Sequence, residues 1–220
     1  MALPPAKPLH FLISAGPTHE PIDPVRFIGN RSSGQMGITL AQTAQARGHH
    51  VTLVLGPSHL SAPAGVMVVR VETAQQMLDE LEARFAATDV LVMAAAVADV
   101  RPVHASAHKL KKEELGATLR LEKNADILAH LGRMRRQQVV VGFSLETLRG
   151  AEAIAEAVRK AKAKCCDLMV LNSPGSLGGE RAASVVFVKS DGSSEDLGDL
   201  SKSELAGRLV AWCELAGSLQ

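Results

Sequence analysis

The chain has 220 residues, 46% of them apolar, with 24 basic and 23 acidic side chains and a net charge of +1. That length buries a substantial core, and dispersed, nearly balanced charge argues against bulk attraction to nucleic acid or to a membrane surface. A small-molecule ligand is expected, with no nucleic acid and no membrane as partner.

Cysteines occur at 165, 166 and 213, an odd number without C-x-x-C or histidines at ligand spacing. This speaks against a disulfide framework or structural zinc and fits a reducing, cytoplasmic setting. The stretch Met1 to Pro8 lacks a basic segment leading into an apolar one, and no uncharged apolar stretch of about 18 residues follows. Neither secretion nor a membrane span is expected.

The first strand is predicted over Phe11 to Gly16, followed by a long loop and a helix from Gly34 to Arg47 that stops at Gly48. Connections of this kind usually run about two to six residues, and longer ones tend to be functional. Strand 2 is His50 to Leu55, ending at Gly56-Pro57; strand 3 is Val66 to Val71. Thr73 precedes a helix over Ala74 to Ala87, and Asp89 to Ala96 reads as a strand buried on both faces.

The pattern then changes, with Pro102, the basic run Lys109-Leu110-Lys111-Lys112 and weak alternation over Ala117 to Leu121; an arm or hairpin is expected. Asn124-Ala125-Asp126-Ile127 opens a helix, Val139 to Ser144 is a fifth strand, Ala151 to Lys164 a periodic helix, and Asp167 to Asn172 a sixth strand. A Gly/Ser-rich loop over Ser173 to Glu180 leads to a strand over Ala183 to Val188, a hairpin-like Ser190-Asp191-Gly192 and a last helix over Ser201 to Ala216. Alternating strands and helices define one doubly wound, mostly parallel, Rossmann-like α/β domain over residues 1–220, with the arm inserted at about 100–122.

Ligands in such sheets bind beyond the C-terminal strand ends, near the point where strand order reverses. There the segment Gly16 to Gly37 presents Ser32, Ser33 and Gly34 at a predicted helix start, which suits a phosphate or carboxylate, with Asn30 and Arg31 beside them. The same serines also fit an ordinary helix cap. Lys109, Lys111 and Lys112 could neutralise a triphosphate; Lys160 and Lys164 lie one helical turn apart and fit either an anion or a solvated face. Asp99 and Asp126 could hold magnesium through one or two carboxylates, or Asp126 could simply cap a helix. His49-His50 at a strand entrance reads as structural. A dinucleotide-dependent oxidoreductase would require G-x-G-x-x-G after strand 1 and an acidic residue ending strand 2. Gly16-Pro17-Thr18 and Leu55-Gly56-Pro57 supply neither.

Taken together, P-I-D-P-V-R-F-I-x-N-R-S-S-G-x-M-G within residues 14–37, Ala94 to Pro102, Lys109 to Lys112, Asn124 to Ile127, Val141-Gly142-Phe143 with Glu146-Thr147, and Asp167 to Asn172 closely resemble the phosphopantothenoylcysteine synthetase family of coenzyme A biosynthesis. The resemblance runs in order from residue 10 to about 190. It implies a ligase that activates the phosphopantothenate carboxylate with CTP as an acyl-cytidylate and joins it to L-cysteine, with Mg2+ and no flavin. It implies Asn30 positioning the acyl-cytidylate, Gly16, Asn30, Arg31, Ser32, Ser33 and Gly34 near phosphate or substrate, and Lys109 acting on the triphosphate. The nucleotide would be lined by Met93, Ala94, Ala95, Asp99, Lys109, Ala125, Asp126, Ile127, Leu128, Phe143, Lys160 and Lys164, with Asp99 meeting ribose or metal. It further implies a homodimer in which the lysine-bearing arm reaches over the neighbour's site; the family is commonly fused behind a flavin-dependent decarboxylase, for which 220 residues leave no room, so a decarboxylase on a separate chain is expected. Two departures are Gln35, where the family usually has Lys, and Ala125, where it has Pro. A catalytically silent nucleotide-binding scaffold is the alternative, and a nucleotide-dependent oxidoreductase the more remote one.

Overall fold

The computed structural model describes residues 7–112, 116, 118–176 and 179–218. Residues 1–6, 113–115 and 117 of the expected arm, and 177–178 of the loop after the sixth predicted strand lie outside the described residues. In chain order the elements are β1 (His10–Ala15), β2 (His19–Pro21), β3 (Phe27–Gly29), α1 (Gln35–Ala46), β4 (His50–Leu55), β5 (Met67–Arg70), α2 (Ala74–Phe85), β6 (Val90–Met93), β7 (Val100–Pro102) and β8 (Leu121–Lys123). They continue as α3 (Ile127–Met134), β9 (Val139–Leu145), α4 (Gly150–Ala163), β10 (Leu168–Asn172), β11 (Arg181–Lys189), β12 (Ser194–Ser201) and α5 (Lys202–Gly217).

Eight strands form one sheet in the order β12-β11-β10-β9-β6-β1-β4-β5. The run from β10 to β5 is parallel, and β11 and β12 add antiparallel at one edge. The chain leaves β1 for its neighbour β4 and later crosses to β6 on the other side of β1, so strand order reverses between β1 and β6. A crevice opens at such a point, beyond the strands' C-terminal ends.

Alternation along β1 divides the core. Phe11, Ile13 and Ala15 pack with Leu40, Ala41 and Leu209 from α1 and α5, whereas Leu12 packs with Leu81, Leu131 and Ala157 from α2, α3 and α4. Both faces are covered, which is why the parallel strands read as continuous apolar runs. Arg47 and His49 tie the end of α1 to α5: Arg47 Nε donates to Glu214 Oε1 at 2.8 Å, and His49 Nε2 lies 2.8 Å from the same oxygen. His49 Nδ1 accepts the Leu9 amide at 3.1 Å, so its role is structural, as expected.

Three details differ from the expected pattern. The strand expected to run to Ala96 ends at Met93, because Ala95 N donates to Ser14 Oγ (3.2 Å) and Ala96 N to Gly16 O (2.9 Å), turning the alanines across the end of β1. The long loop after β1 contains the hairpin β2–β3, where His19 stacks on Phe27 with ring centroids 3.6 Å apart. The polar segment after Ser190-Asp191-Gly192 returns as β12, an exposed edge strand without an apolar alternation to reveal it. The expected arm does leave the sheet, closed at its base by β7 pairing with β8.

Candidate functional site

A cavity of about 630 Å³ opens at the reversal point, bounded by residues from the ends of β6, β9 and β10 and from the starts of α1, α3 and α5. Its floor is backbone. Gly34 adopts φ +81°, and a Cβ there would lie 3.2 Å from Gly16 N, so the turn into α1 is pressed against the end of β1. Glycine meets both requirements, a left-handed backbone and a close approach.

Ser32 Oγ accepts Gly34 N at 3.3 Å and Ser33 Oγ accepts Gln35 N at 3.4 Å, long contacts that leave the serines oriented around the helix start. The first turn of α1 contains no acidic residue. Its positive end therefore faces the cavity unneutralised by a side chain of that turn. Ser33 O in turn accepts Ser58 Oγ at 2.7 Å, tying this segment to the loop after β4.

Asn30 is held from the opposite side. Its Nδ2 donates to Val97 O at 2.9 Å, which fixes the amide of a residue that lines the cavity. The segment beneath it is fixed in turn, because Ala98 N donates to the buried Thr18 Oγ1 at 2.9 Å. Asp99 lines the cavity, and Asn124 Nδ2 donates to Ala98 O at 2.8 Å alongside it.

Asp126 caps α3, accepting Ala129 N at 3.0 Å, and pairs with Lys164 at 3.1 Å. Lys164 is brought there by close helix packing: a Cβ on Gly132 of α3 would lie 2.0 Å from Lys164 O. Asp126 thus has a structural job as well as a place on the wall. Among the described residues no group of three or more His, Cys, Asp or Glu could hold a metal ion. The carboxylate that remains for a cation is Asp99, a donor set that suits magnesium arriving with phosphate oxygens and does not suit a resident all-protein site.

Of the residues singled out from sequence, Asn30, Arg31, Ser32, Ser33, Gly34, Met93, Ala94, Ala95, Asp99, Ala125, Asp126, Ile127, Leu128, Phe143 and Lys164 all line the cavity. Gly16 lies beneath Gly34 without lining it. Lys160 is turned away from it, paired with Glu146 and donating to Ser144 Oγ at 3.2 Å; this pairing holds the Glu146 carboxyl below its ordinary range. Lys109 is exposed on the arm and does not line this chain's cavity. Asp23 fixes the arm nearby: it accepts Leu110 N at 3.2 Å, while Arg26 pairs with Asp23 and donates to Leu110 O at 2.9 Å. The wall also includes Asn124, Asn172, Ser176, Ala182 and Lys202, none of which was given a site role from sequence. Asn172 was placed correctly at a strand end, whereas Lys202 opens a helix whose site-facing position depends on the antiparallel edge.

Fold and cavity together define a doubly wound, mostly parallel α/β protein with a cavity beyond the C-terminal ends of its parallel strands. Residues 6–215 match the family described as DNA/pantothenate metabolism flavoprotein, C-terminal domain, and the chain belongs to that family. It is 42% identical over 213 residues to the coenzyme A biosynthesis bifunctional protein CoaBC of Mycobacterium tuberculosis H37Rv, covering 90% of this chain and 50% of the relative. With the Bacillus subtilis CoaBC it shares 37% identity over 206 residues, 91% of this chain and 50% of the relative. The crystal structure of a CoaBC C-terminal domain superposes with a TM-score of 0.82 at 35% identity, covering 96% of this chain and 97% of that one. The chain spans about half the length of these CoaBC relatives.

Proposed function

We propose that this chain is a phosphopantothenate–cysteine ligase of coenzyme A biosynthesis. The observation that carries the reading is the meeting, in one cavity, of the unneutralised start of α1, the oriented Asn30 amide and the free Asp99 carboxylate, in a member of this family. CTP is the co-substrate and Mg2+ accompanies it. The substrate carboxylate attacks the α-phosphorus, pyrophosphate leaves and an acyl-cytidylate forms; the cysteine amine then attacks the acyl carbon, CMP leaves and the amide is made. Catalysis of this kind is positioning plus stabilisation of developing negative charge. Asp99, the residue assigned to ribose or metal, is the carboxylate that would hold magnesium arriving with the triphosphate, which would supply charge neutralisation there.

The start of α1, with Ser32, Ser33 and Gly34, holds phosphate oxygens. Asn30 orients the acyl-cytidylate, and the wall from Met93 to Ala95, Ala125 to Leu128, Phe143 and Lys164 surrounds the nucleotide. Lys109, exposed on an arm away from its own chain's cavity, fits a homodimer in which each arm serves the neighbour's site. The reading places the protein in the cytoplasm; among the described residues, no helix is long and apolar enough to cross a membrane.

The test is pyrophosphate release by the purified protein with phosphopantothenate and magnesium, with CTP or ATP, before and after adding cysteine. Turnover that depends on CTP and is completed by cysteine supports the ligase. Activity with ATP alone corrects the nucleotide, and silence from a folded protein favours a non-catalytic scaffold. Asn30→Asp replaces the amide donor to Val97 O with a carboxylate that repels it. Acyl-cytidylate is then expected to accumulate while product formation falls at least 100-fold, on the scale of losing one positioned donor, about 10²- to 10³-fold.

A further inference from the structure

Lys202 stands apart from every other lysine in the chain. It is the first residue of α5, only 7% exposed, and it lines the cavity together with Asn172, Ser176 and Ala182. Its amide donates to Glu180 O at 2.8 Å, but its ammonium has no hydrogen-bonding or ionic partner among the described residues. A lysine held this far out of solvent with no counter-charge for its ammonium is costly to keep, and burial alone pulls its pKa below the ordinary lysine value. The other buried polar side chains around the site are engaged: Thr18 holds Ala98, Ser14 holds Ala95, and Ser176 accepts Ala183 N at 2.8 Å. A long side chain kept buried and unpaired at a cavity wall has its counter-charge in the ligand.

The surrounding chemistry identifies the class of ligand. Across the same cavity lie Ser32, Ser33 and the acid-free first turn of α1, donors without an acceptor charge of their own. Asn172 adds an amide to the lining of the same cavity. Two cationic poles, a helix start and a buried ammonium, facing one space suit a polyanionic oxygen group better than a single carboxylate.

We infer that Lys202 is a phosphate-binding residue of this site, closing on a phosphoryl group held between itself, Asn172 and the start of α1. The inference rests on the ligase reading only for the source of that group, which is either the phosphate monoester of the acid substrate or the nucleotide's triphosphate. Lys202 touches the bound anion and takes no part in making or breaking a bond.

The test compares wild type, Lys202→Met and Lys202→Arg in calorimetric titrations with inorganic pyrophosphate, CTP and phosphopantothenate, alongside thermal melts of the unliganded proteins. Losing a charge-assisted contact predicts a dissociation constant about 10- to 100-fold higher for the phosphate probe that Lys202 meets. The arginine variant should restore most of that affinity, and whichever organic ligand weakens names the source. The unliganded methionine variant should melt at or above the wild-type temperature, because a buried charge has been replaced by an apolar chain of similar length.

Lys202-dependent binding of pyrophosphate alone would support the inference even if the ligase reading failed. Equal binding of all three probes by wild type and Lys202→Met, or binding of none by wild type, would overturn it. So would a methionine variant that melts well below wild type, since Lys202 would then be a packing residue.

Discussion

The cavity floor and the arm are attached to the molecule by opposite means. The floor, residues 14–37 with 93–99, is backbone pressed on backbone: a Cβ on Gly56 would lie 1.8 Å from Pro17 O, and Ala96 N reaches Gly16 O at 2.9 Å. The arm carrying Lys109 hangs on a few polar contacts, Asp23 and Arg26 gripping Leu110 and Ser106 N donating to Ile22 O at 2.9 Å. A floor of that kind fixes ligand geometry within close tolerances, whereas a polar tether lets a charged group be delivered or withdrawn with little cost to the core. Under the proposed function, recognition is preset in the floor and the arm's charge is brought to it.

The harshest challenge to the rigid half is Gly56→Ala. The added methyl has no room without moving Pro17, and a destabilisation of about 3 kcal/mol or more is expected. Urea unfolding reads it as a lower midpoint at unchanged slope; a midpoint within error of wild type would mean that the floor yields easily.

Lys109→Gln tests the other half. Because the side chain is exposed, the unfolding midpoint should stay where it is while pyrophosphate release falls at least about 100-fold, the scale of removing one charge-stabilising group. A parallel loss of stability would instead place Lys109 in the architecture.

Asp23 is the hinge of the contrast. Its carboxyl is buried among Arg26 and backbone donors, and the Arg26 contact foremost holds it far below the ordinary carboxylate range. A group depressed in the folded state stabilises fully above its unfolded value and loses that contribution as the pH falls through its folded one. Asp23→Asn should therefore speed hydrogen exchange at the Leu110 amide at neutral pH, and the stability difference from wild type should narrow on acidification. A gap that stays constant down to strongly acidic pH would show that the charge is not what holds the arm.

The smallest effect concerns thiols. Burial pushes Cys166 up to about 12 and Cys213 higher still, while Cys165 is partly exposed. A maleimide reagent at neutral pH should modify Cys165 alone, and modification of Cys213 without unfolding would mean that the α5 face opens readily.

Much of this contrast could be read from residues alone. The parallel strands announce themselves because burial on both faces demands unbroken apolar runs such as Val90-Leu91-Val92-Met93, and Ser32-Ser33-Gly34 marks the start of the helix that begins at Gln35. What escaped was set by neighbours distant in the chain. Lys160 lies in the last turn of α4 and Lys164 just after its end, yet Glu146 pairs with the first away from the cavity and Asp126 with the second at its wall. The polar strand Ser194–Ser201 has no periodicity to betray it, because it lies on the exposed edge and exists through pairing with β11. Lys202 was invisible for the same reason, since its burial follows from where that edge strand delivers the chain.

The position of Lys202 at the start of the final helix has a consequence for biogenesis. The cavity joins residues near 30 to residue 202, and α5 is clamped back onto the end of α1 through Glu214. A nascent chain that has already laid down β1, α1 and β4 still lacks one wall and one cation of its pocket, and such long-range closure is slow compared with local helix formation. Ligand can therefore reward folding only once α5 is in place, so substrate supply acts after the last wall of the cavity has closed and leaves the earlier stages unaided.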